Sequence, residues 1–170
     1  MNNDNKTAIL LGTSNKNGNT SALVDFVATS INASVFKLKD YVISPFDYDH
    51  KNIDDDFIPL VKKLLEFDHI IFASPVYWYT MSAQMKIFFD RLSDLLHIKK
   101  ELGRKLRGLS ASVISTGSSQ KPERSFEEVF INSFNYLSMD YKGMLYCYCE
   151  QKFVLSEHET DINHYYSSSD

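Results

Sequence analysis

Between Ala8 and Ile31 the chain passes from an unbroken apolar run, through a loop of small polar residues, into a helical repeat. This passage restricts the fold more than any other stretch. Ala8, Ile9, Leu10 and Leu11 show no polar alternation, which predicts a strand covered on both faces. Gly12 ends the run, and residues 13–19 are polar turn formers. From about Thr20, Leu23, Val24, Val27, Ala28 and Ile31 recur at three- and four-residue spacing, giving a helix with one apolar face.

A strand, a small-residue loop and a helix N-terminus, in that order, suit an anion. The first helical N–H groups lack internal partners and lie at the positive end of the macrodipole. Ser14, Thr20 and Ser21 add hydroxyls, Lys16 adds charge, and the glycines let the backbone approach a ligand. A βα turn capped by a Thr or Asn accounts for the same residues, so the loop alone leaves phosphate binding open. Two better-known phosphate loops are excluded. Gly18 is followed by Asn19 rather than Lys-Ser/Thr, and no glycine lies two residues after Gly12.

The alternation continues along the chain. Residues 33–38, 69–74, 109–115 and 142–149 read as four further strands. A second helix follows Asp54, Asp55 and Asp56, with Phe57, Leu60, Val61, Leu64 and Leu65 as its buried stripe. The three aspartates are expected to be solvent-facing acids at a helix start rather than a metal site. A third helix begins near Ser82 and carries Met85, Phe88, Leu92, Leu95 and Leu96. A fourth takes Pro122 in its first turn and buries Phe126, Val129, Phe130, Phe134 and Leu137. Residues 99–107 are basic and read as a solvated connection, with docking of a phosphorylated ligand as the alternative. The first six residues are expected to fray, and the polar tail to be flexible from about residue 158.

Strand and helix in strict alternation predict an α/β fold: one domain over residues 1–170, with a five-stranded parallel sheet and helices on both faces. In the strand order 2-1-3-4-5, ligands sit at the carboxyl ends of the strands, where the order reverses. Three loops meet there: residues 12–20, 75–80 and 116–119. The second offers Pro75, Val76 and the aromatic trio Tyr77, Trp78 and Tyr79, suited to a planar ring. The third offers Thr116, Gly117, Ser118 and Ser119 to the ring's other side. Packing at a sheet end also explains the aromatics taken alone. One phosphate seat beside one seat for a flat heteroaromatic ring describes flavin mononucleotide (FMN).

Composition narrows the class. With 18 basic and 22 acidic residues the net charge is −4, so no basic surface points to nucleic acid or an anionic membrane. No apolar run approaches the roughly 20 residues of a membrane span, and the N-terminus lacks a signal-peptide layout, so a cytoplasmic location is expected. Cys147 and Cys149 would share a strand face roughly 6.5–7 Å apart, at or beyond comfortable disulfide reach. They are expected to be free thiols, with no metal site around them.

The segments GTSNKNGNT (12–20) and SPVYWYTMSAQMKIFFDR (74–91) together resemble the NAD(P)H-dependent FMN reductase family, part of the flavodoxin-like superfamily, and the resemblance spans residues 6–149. Ser74, Pro75, Val76, Tyr77, Ser82, Lys86, Phe88, Asp90 and Arg91 match the family's second motif position by position. The resemblance implies a flavodoxin-like three-layer sandwich with FMN as cofactor and NAD(P)H as electron donor. It implies that Ser14, Lys16, Gly18, Asn19 and Thr20 hold the phosphate. Pro75, Val76, Tyr77, Trp78, Thr116, Gly117 and Ser118 would line the isoalloxazine. Asp90 and Arg91 are expected to be structural. Asn15 stands where the family has Arg, removing a fixed charge that Lys16 would replace. Related iron–sulfur flavoproteins carry cluster cysteines in the connection after the second strand, and here that connection, residues 41–57, contains none.

The implied activity is hydride transfer from NAD(P)H to FMN, then electron delivery to a quinone, an azo or nitro compound, or free flavin. The cofactor carries the chemistry, so no catalytic side chain and no metal are expected. A flavodoxin-type one-electron carrier and a flavin-free interaction domain are the alternatives. A homodimer or homotetramer is expected.

Overall fold

The apolar runs pair side by side into one parallel sheet. A computed structural model describes residues 6–168. Its strands are β1 (Thr7–Leu11), β2 (Ser34–Lys37), β3 (His69–Ala73), β4 (Ser110–Gly117) and β5 (Asp140–Tyr148). Their order is β2-β1-β3-β4-β5, and every pairing is parallel, with Leu10 opposite Phe36 on one side and Phe72 on the other. The helices are α1 (Asn19–Ile31), α2 (Phe57–Leu64), α3 (Ala83–His97), α4 (Lys100–Arg104), α5 (Arg124–Leu137) and α6 (Glu159–Ser168). Unbroken apolar strands have two faces to cover, and two cores result. Leu10, Phe72 and Val113 pack with α2, α3 and α5. Ile9, Leu11, Ile71 and Ile114 pack with α1 and α6. The expected order and three-layer arrangement are therefore observed.

Several details differ from the sequence reading. β4 runs on to Gly117, pairing Thr116 with Cys147 and Gly117 with Tyr148. Pro122 lies ahead of α5 rather than in its first turn, because Glu123 is the N-cap. The basic stretch is not merely solvated: it folds into α4 and buries Leu102 and Leu106. Gly103 is required there, since a Cβ would lie 2.4 Å from the Leu95 carbonyl oxygen. At the far end, α6 replaces the expected flexible tail over residues 159–168, burying Ile162 and Tyr165. Two apolar positions in a polar segment are too few to reveal a helix by periodicity. Lys6 is held as well, its N–H donating to the Asp68 carboxylate at 2.9 Å. Expectations for residues 1–5 and 169–170 lie outside the described residues.

The aspartates before α2 do not all face solvent. Arg91, fully buried on α3, donates through Nη1 to Asp55 Oδ2 and to the Ser44 carbonyl (2.9 Å), and through Nε to Asp94 Oδ2 at 2.7 Å. Asp55 also accepts from the N–H groups of Ser44 and Phe57, and Asp56 accepts from Val42 N–H. Burial works against ionisation of Asp55, but Arg91 and the two N–H donors outweigh it and hold the carboxyl below its ordinary range. Asp94 takes His50 Nδ1 at 2.9 Å on its other oxygen. The long connection after β2 is thus strapped to α3 by buried charge. The expected structural role fits Arg91, whereas Asp90 pairs with exposed Lys86.

A second polar network ties α6 to the sheet. Both ring nitrogens of His69 bond to serine hydroxyls, Ser110 at 2.7 Å and Ser112 at 2.8 Å, and Ser112 shares a 2.5 Å hydrogen bond with Tyr165. Burial, aided by the Lys142 charge, pushes the His69 pKa down to about 4.

Two outcomes follow for stability. Arg91→Leu leaves two carboxylates buried without their cation and is expected to cost about 3–5 kcal/mol in urea unfolding. As pH falls through 6.5 the unfolded chain protonates at His69 while the folded chain stays neutral until about 4. Stability from this group is therefore intact above pH 6.5 and lost towards pH 4, by up to ~3 kcal/mol. His69→Gln should flatten the unfolding free energy across that window; an unchanged slope would contradict the assignment.

Candidate functional site

The N-terminus of α1 is open. Gly18 is its N-cap and supplies no side-chain bond, so the capped-turn reading of this loop does not hold. The first helical bond runs from Ala22 N–H to the Gly18 carbonyl. The N–H groups of Asn19, Thr20 and Ser21 have no acceptor among the described residues. Side chains able to cap them are used elsewhere. Asn19 donates to the Gln151 carbonyl and accepts from Phe153 N–H. Thr20 shares a 2.7 Å hydrogen bond with Thr116, and Ser21 donates to the Asn15 carbonyl. Asn15 is exposed and closes a local turn, its side-chain oxygen accepting from Asn17 N–H at 3.1 Å. Ser14 and Lys16 are exposed at the rim, with no hydrogen-bond or ion-pair partner among the described residues.

The second loop is anchored to the first through two buried serines. Ser74 Oγ accepts from Ser82 N–H at 2.9 Å, and Ser82 Oγ caps α3 by accepting from Met85 N–H while donating to the Gly12 carbonyl at 2.7 Å. Beyond Pro75, Val76 N–H donates to the Thr116 carbonyl. Tyr77 and Thr80 then exchange both backbone hydrogen bonds, at 2.9 and 3.1 Å. This closes a two-residue hairpin tip of Trp78 and Tyr79. Their φ values are 47° and 65°, the left-handed conformations of a type I′ turn, which favours Asn-Gly. Two bulky aromatic residues hold them here, at a cost of ~1–2 kcal/mol each. Trp78 is 91% exposed and Tyr79 62%.

The third loop closes the edge. Tyr146 on β5 donates to the Ser119 carbonyl at 2.5 Å, and burial pushes its phenol up, so it stays protonated. A Cβ at Gly117 would lie 2.7 Å from the Tyr146 oxygen. A cavity of about 220 Å³ opens between the second and third loops, lined by Val76, Trp78, Tyr79, Gly117, Ser118 and Tyr146 among others.

The expected residues thus fall into groups. Val76, Trp78, Gly117 and Ser118 line the cavity. Thr20 and Thr116 join the first loop to the third. Ser14, Lys16 and Gly18 rim the open helix end, while the Asn19 side chain secures residues 151–153. Pro75 and Tyr77 shape the hairpin and are not among the lining residues. The sequence reading missed Tyr146 as a lining residue; the partial alternation of β5 was the available signal. Cys147 and Cys149 share a buried face as free thiols. His158 Nε2 comes within 3.9 Å of Cys149 Sγ, a neighbour the sequence did not suggest. Burial raises both thiols, Cys147 to about 12, which leaves them unreactive. Among the described residues, no group of three His, Cys, Asp or Glu is placed to hold a metal ion.

Residues 5–146 match the family described as NADPH-dependent FMN reductase. The chain belongs to that family. It is accordingly an FMN-dependent oxidoreductase with a nicotinamide nucleotide as donor. YwqN of Bacillus subtilis, named as an NAD(P)H-dependent FMN-containing oxidoreductase, is 27% identical over 148 residues, covering 81% of this chain and 82% of that one. Among solved structures, the Trp repressor binding protein of B. subtilis superposes with a TM-score of 0.72 at 21% identity, covering 96% of this chain and 95% of that one. An NADPH-quinone reductase of P. pentosaceus gives 0.70 at 15% identity, covering 97% and 98%. At those identities the two structures speak for the fold alone.

If the hairpin tip is strained as its dihedrals require, Tyr79→Gly should raise the unfolding free energy by ~1 kcal/mol. A loss of stability in thermal melts would show that the ring's contacts outweigh the backbone cost.

Proposed function

We propose that the first loop binds the FMN phosphate and that the cavity between the second and third loops takes the isoalloxazine. Ser14, Lys16 and Gly18, with the backbone N–H groups of Asn19 and Thr20, hold the anion. Val76 and Trp78, on the hairpin that Pro75 and Tyr77 shape, present one wall of the ring site, and Gly117 and Ser118, which follow Thr116, the other. The observation that carries this reading is the uncapped end of α1, three N–H groups without an acceptor among the described residues beside an exposed lysine, tied by the Thr20–Thr116 bond to the strand end that leads into the cavity. Asn15 contributes a turn rather than a charge, leaving Lys16 as the cation of the loop.

The chemistry FMN supplies when bound is hydride acceptance from the nicotinamide and electron delivery to an acceptor. The protein's part is positional. Backbone N–H groups and Lys16 neutralise the anion, Tyr146 fixes the third loop through Ser119, and the Trp78–Tyr79 tip frames the mouth. No side chain is assigned as acid, base or nucleophile, because the cofactor carries the chemistry. The acceptor is a quinone, an azo or nitro compound, or free flavin; the family's oxidoreductase chemistry and an open aromatic mouth both suit planar acceptors. The same family membership favours this reading over a one-electron carrier or a flavin-free module. We place the enzyme in the cytoplasm, as a homodimer or homotetramer whose contacts cover the exposed aromatic tip. Among the described residues no helix is long and apolar enough to cross a membrane.

Anaerobic addition of NADPH to the FMN-loaded protein should bleach the visible flavin bands, and air or a quinone should restore them; unchanged bands would refute the donor half-reaction. Thr20→Val should weaken FMN binding roughly tenfold, since it strands the buried Thr116 hydroxyl, while leaving the circular dichroism spectrum unchanged. Unaltered affinity in a fluorescence-quenching titration would detach the first loop from the cofactor.

A further inference from the structure

At the end of the molecule away from the cofactor loops, a second pocket of about 300 Å³ lies where α3, α4 and α5 meet. α3 starts beside the second loop and ends at His97, so its 15 residues carry this pocket roughly 22 Å from the loops. Leu95, Leu96 and Leu137 form an apolar floor, and Lys100, Arg104 and Arg107 line its side. Lys100 and Arg104, four residues apart, share one face of α4, and Arg107 in the following turn lines the same pocket, while Leu102 and Leu106 are buried. No carboxylate lines the pocket, and Glu101, the acid of this segment, is outside it. None of the three cations has a hydrogen-bond or ion-pair partner among the described residues.

In a chain of net charge −4, three exposed cations line one pocket with no carboxylate among them, and the local positive field favours an anion there. Cations near helix C-termini do complement the macrodipole. That role needs no cavity, and it places no exposed ring beside the charges. Here Tyr136 lines the same pocket and is 75% exposed. Arginine forks match phosphate oxygens in pairs, and a flat ring can rest on an exposed tyrosine.

We propose that this pocket is a second ligand site, separate from the flavin site, for a small organic polyphosphate of the nucleoside di- or triphosphate class. Lys100, Arg104 and Arg107 hold the phosphates, and Tyr136 supports the base. The docking role of the basic segment, the alternative in the sequence, becomes the favoured one once α4 folds it around a cavity.

The test is calorimetric titration of the full-length, FMN-saturated protein in low-salt, magnesium-free buffer, with ATP and inorganic tripolyphosphate as probes. One ATP should bind per chain, with affinity falling as salt rises. Arg104→Ala combined with Arg107→Ala should weaken both probes by roughly a hundredfold, two charge-assisted contacts at about tenfold each. Tyr136→Ala should weaken ATP but not tripolyphosphate. Lys105→Ala, a cation outside the pocket lining, should change neither, and NADPH oxidation should persist in every variant. The proposal fails if ATP gives no saturable heat at millimolar concentration, or if Lys105→Ala weakens binding as much as the arginine pair. It also fails if the arginine variant binds ATP normally. Sedimentation with phosphatidylserine vesicles in the absence of ATP binding would overturn it in favour of a membrane-facing patch.

Discussion

Ser82 is the joint on which the carboxyl edge of the sheet depends. Its hydroxyl caps α3 and donates to the Gly12 carbonyl, while its N–H is held by Ser74. One fully buried residue therefore fixes the end of β1, the end of β3 and the start of α3 relative to each other. Buried hydroxyls are costly when unpaired and specific when paired. The Thr20–Thr116 bond extends this lattice to β4, and three loops far apart in sequence become one wall.

Strain and openness concentrate on that wall. The tip of the second loop places two aromatic residues in backbone conformations that glycine or asparagine would adopt more cheaply. The end of α1 keeps three donors without an acceptor among the described residues although capping side chains stand nearby. Both features reduce the stability of the isolated chain, and both are understandable where a ligand completes the structure. The charge strap from Asp55 through Arg91 to Asp94 has a different role, pinning the long connection after β2 to α3.

Much of this was legible in the sequence, for identifiable reasons. Strands buried on both faces write themselves as unbroken apolar runs, so Ile9, Ile71 and Val113 announced the sheet and its alternation announced the parallel order. The phosphate-type loop was visible because glycine and small polar residues stand between a strand and a helix. Contacts between distant residues were not visible: the Arg91–Asp55 pair spans 36 positions, and no local pattern marks it. α4 with the turn after it buries Leu102 and Leu106, and α6 buries Ile162 and Tyr165; two side chains in polar surroundings lie below the threshold of periodicity. The hairpin tip was hidden because its residues are the wrong ones for the turn they make.

The open end of α1 is the claim on which the functional reading stands, and amide NMR tests it most directly. On titration of FMN into uniformly ¹⁵N-labelled apoprotein, the amide signals of Asn19, Thr20 and Ser21 should move furthest downfield as they gain a phosphate acceptor, with Val76 and Gly117 shifting alongside from the ring. If those three amides stay in place while the protein takes up FMN, the cofactor is held elsewhere and the site described here is not its own.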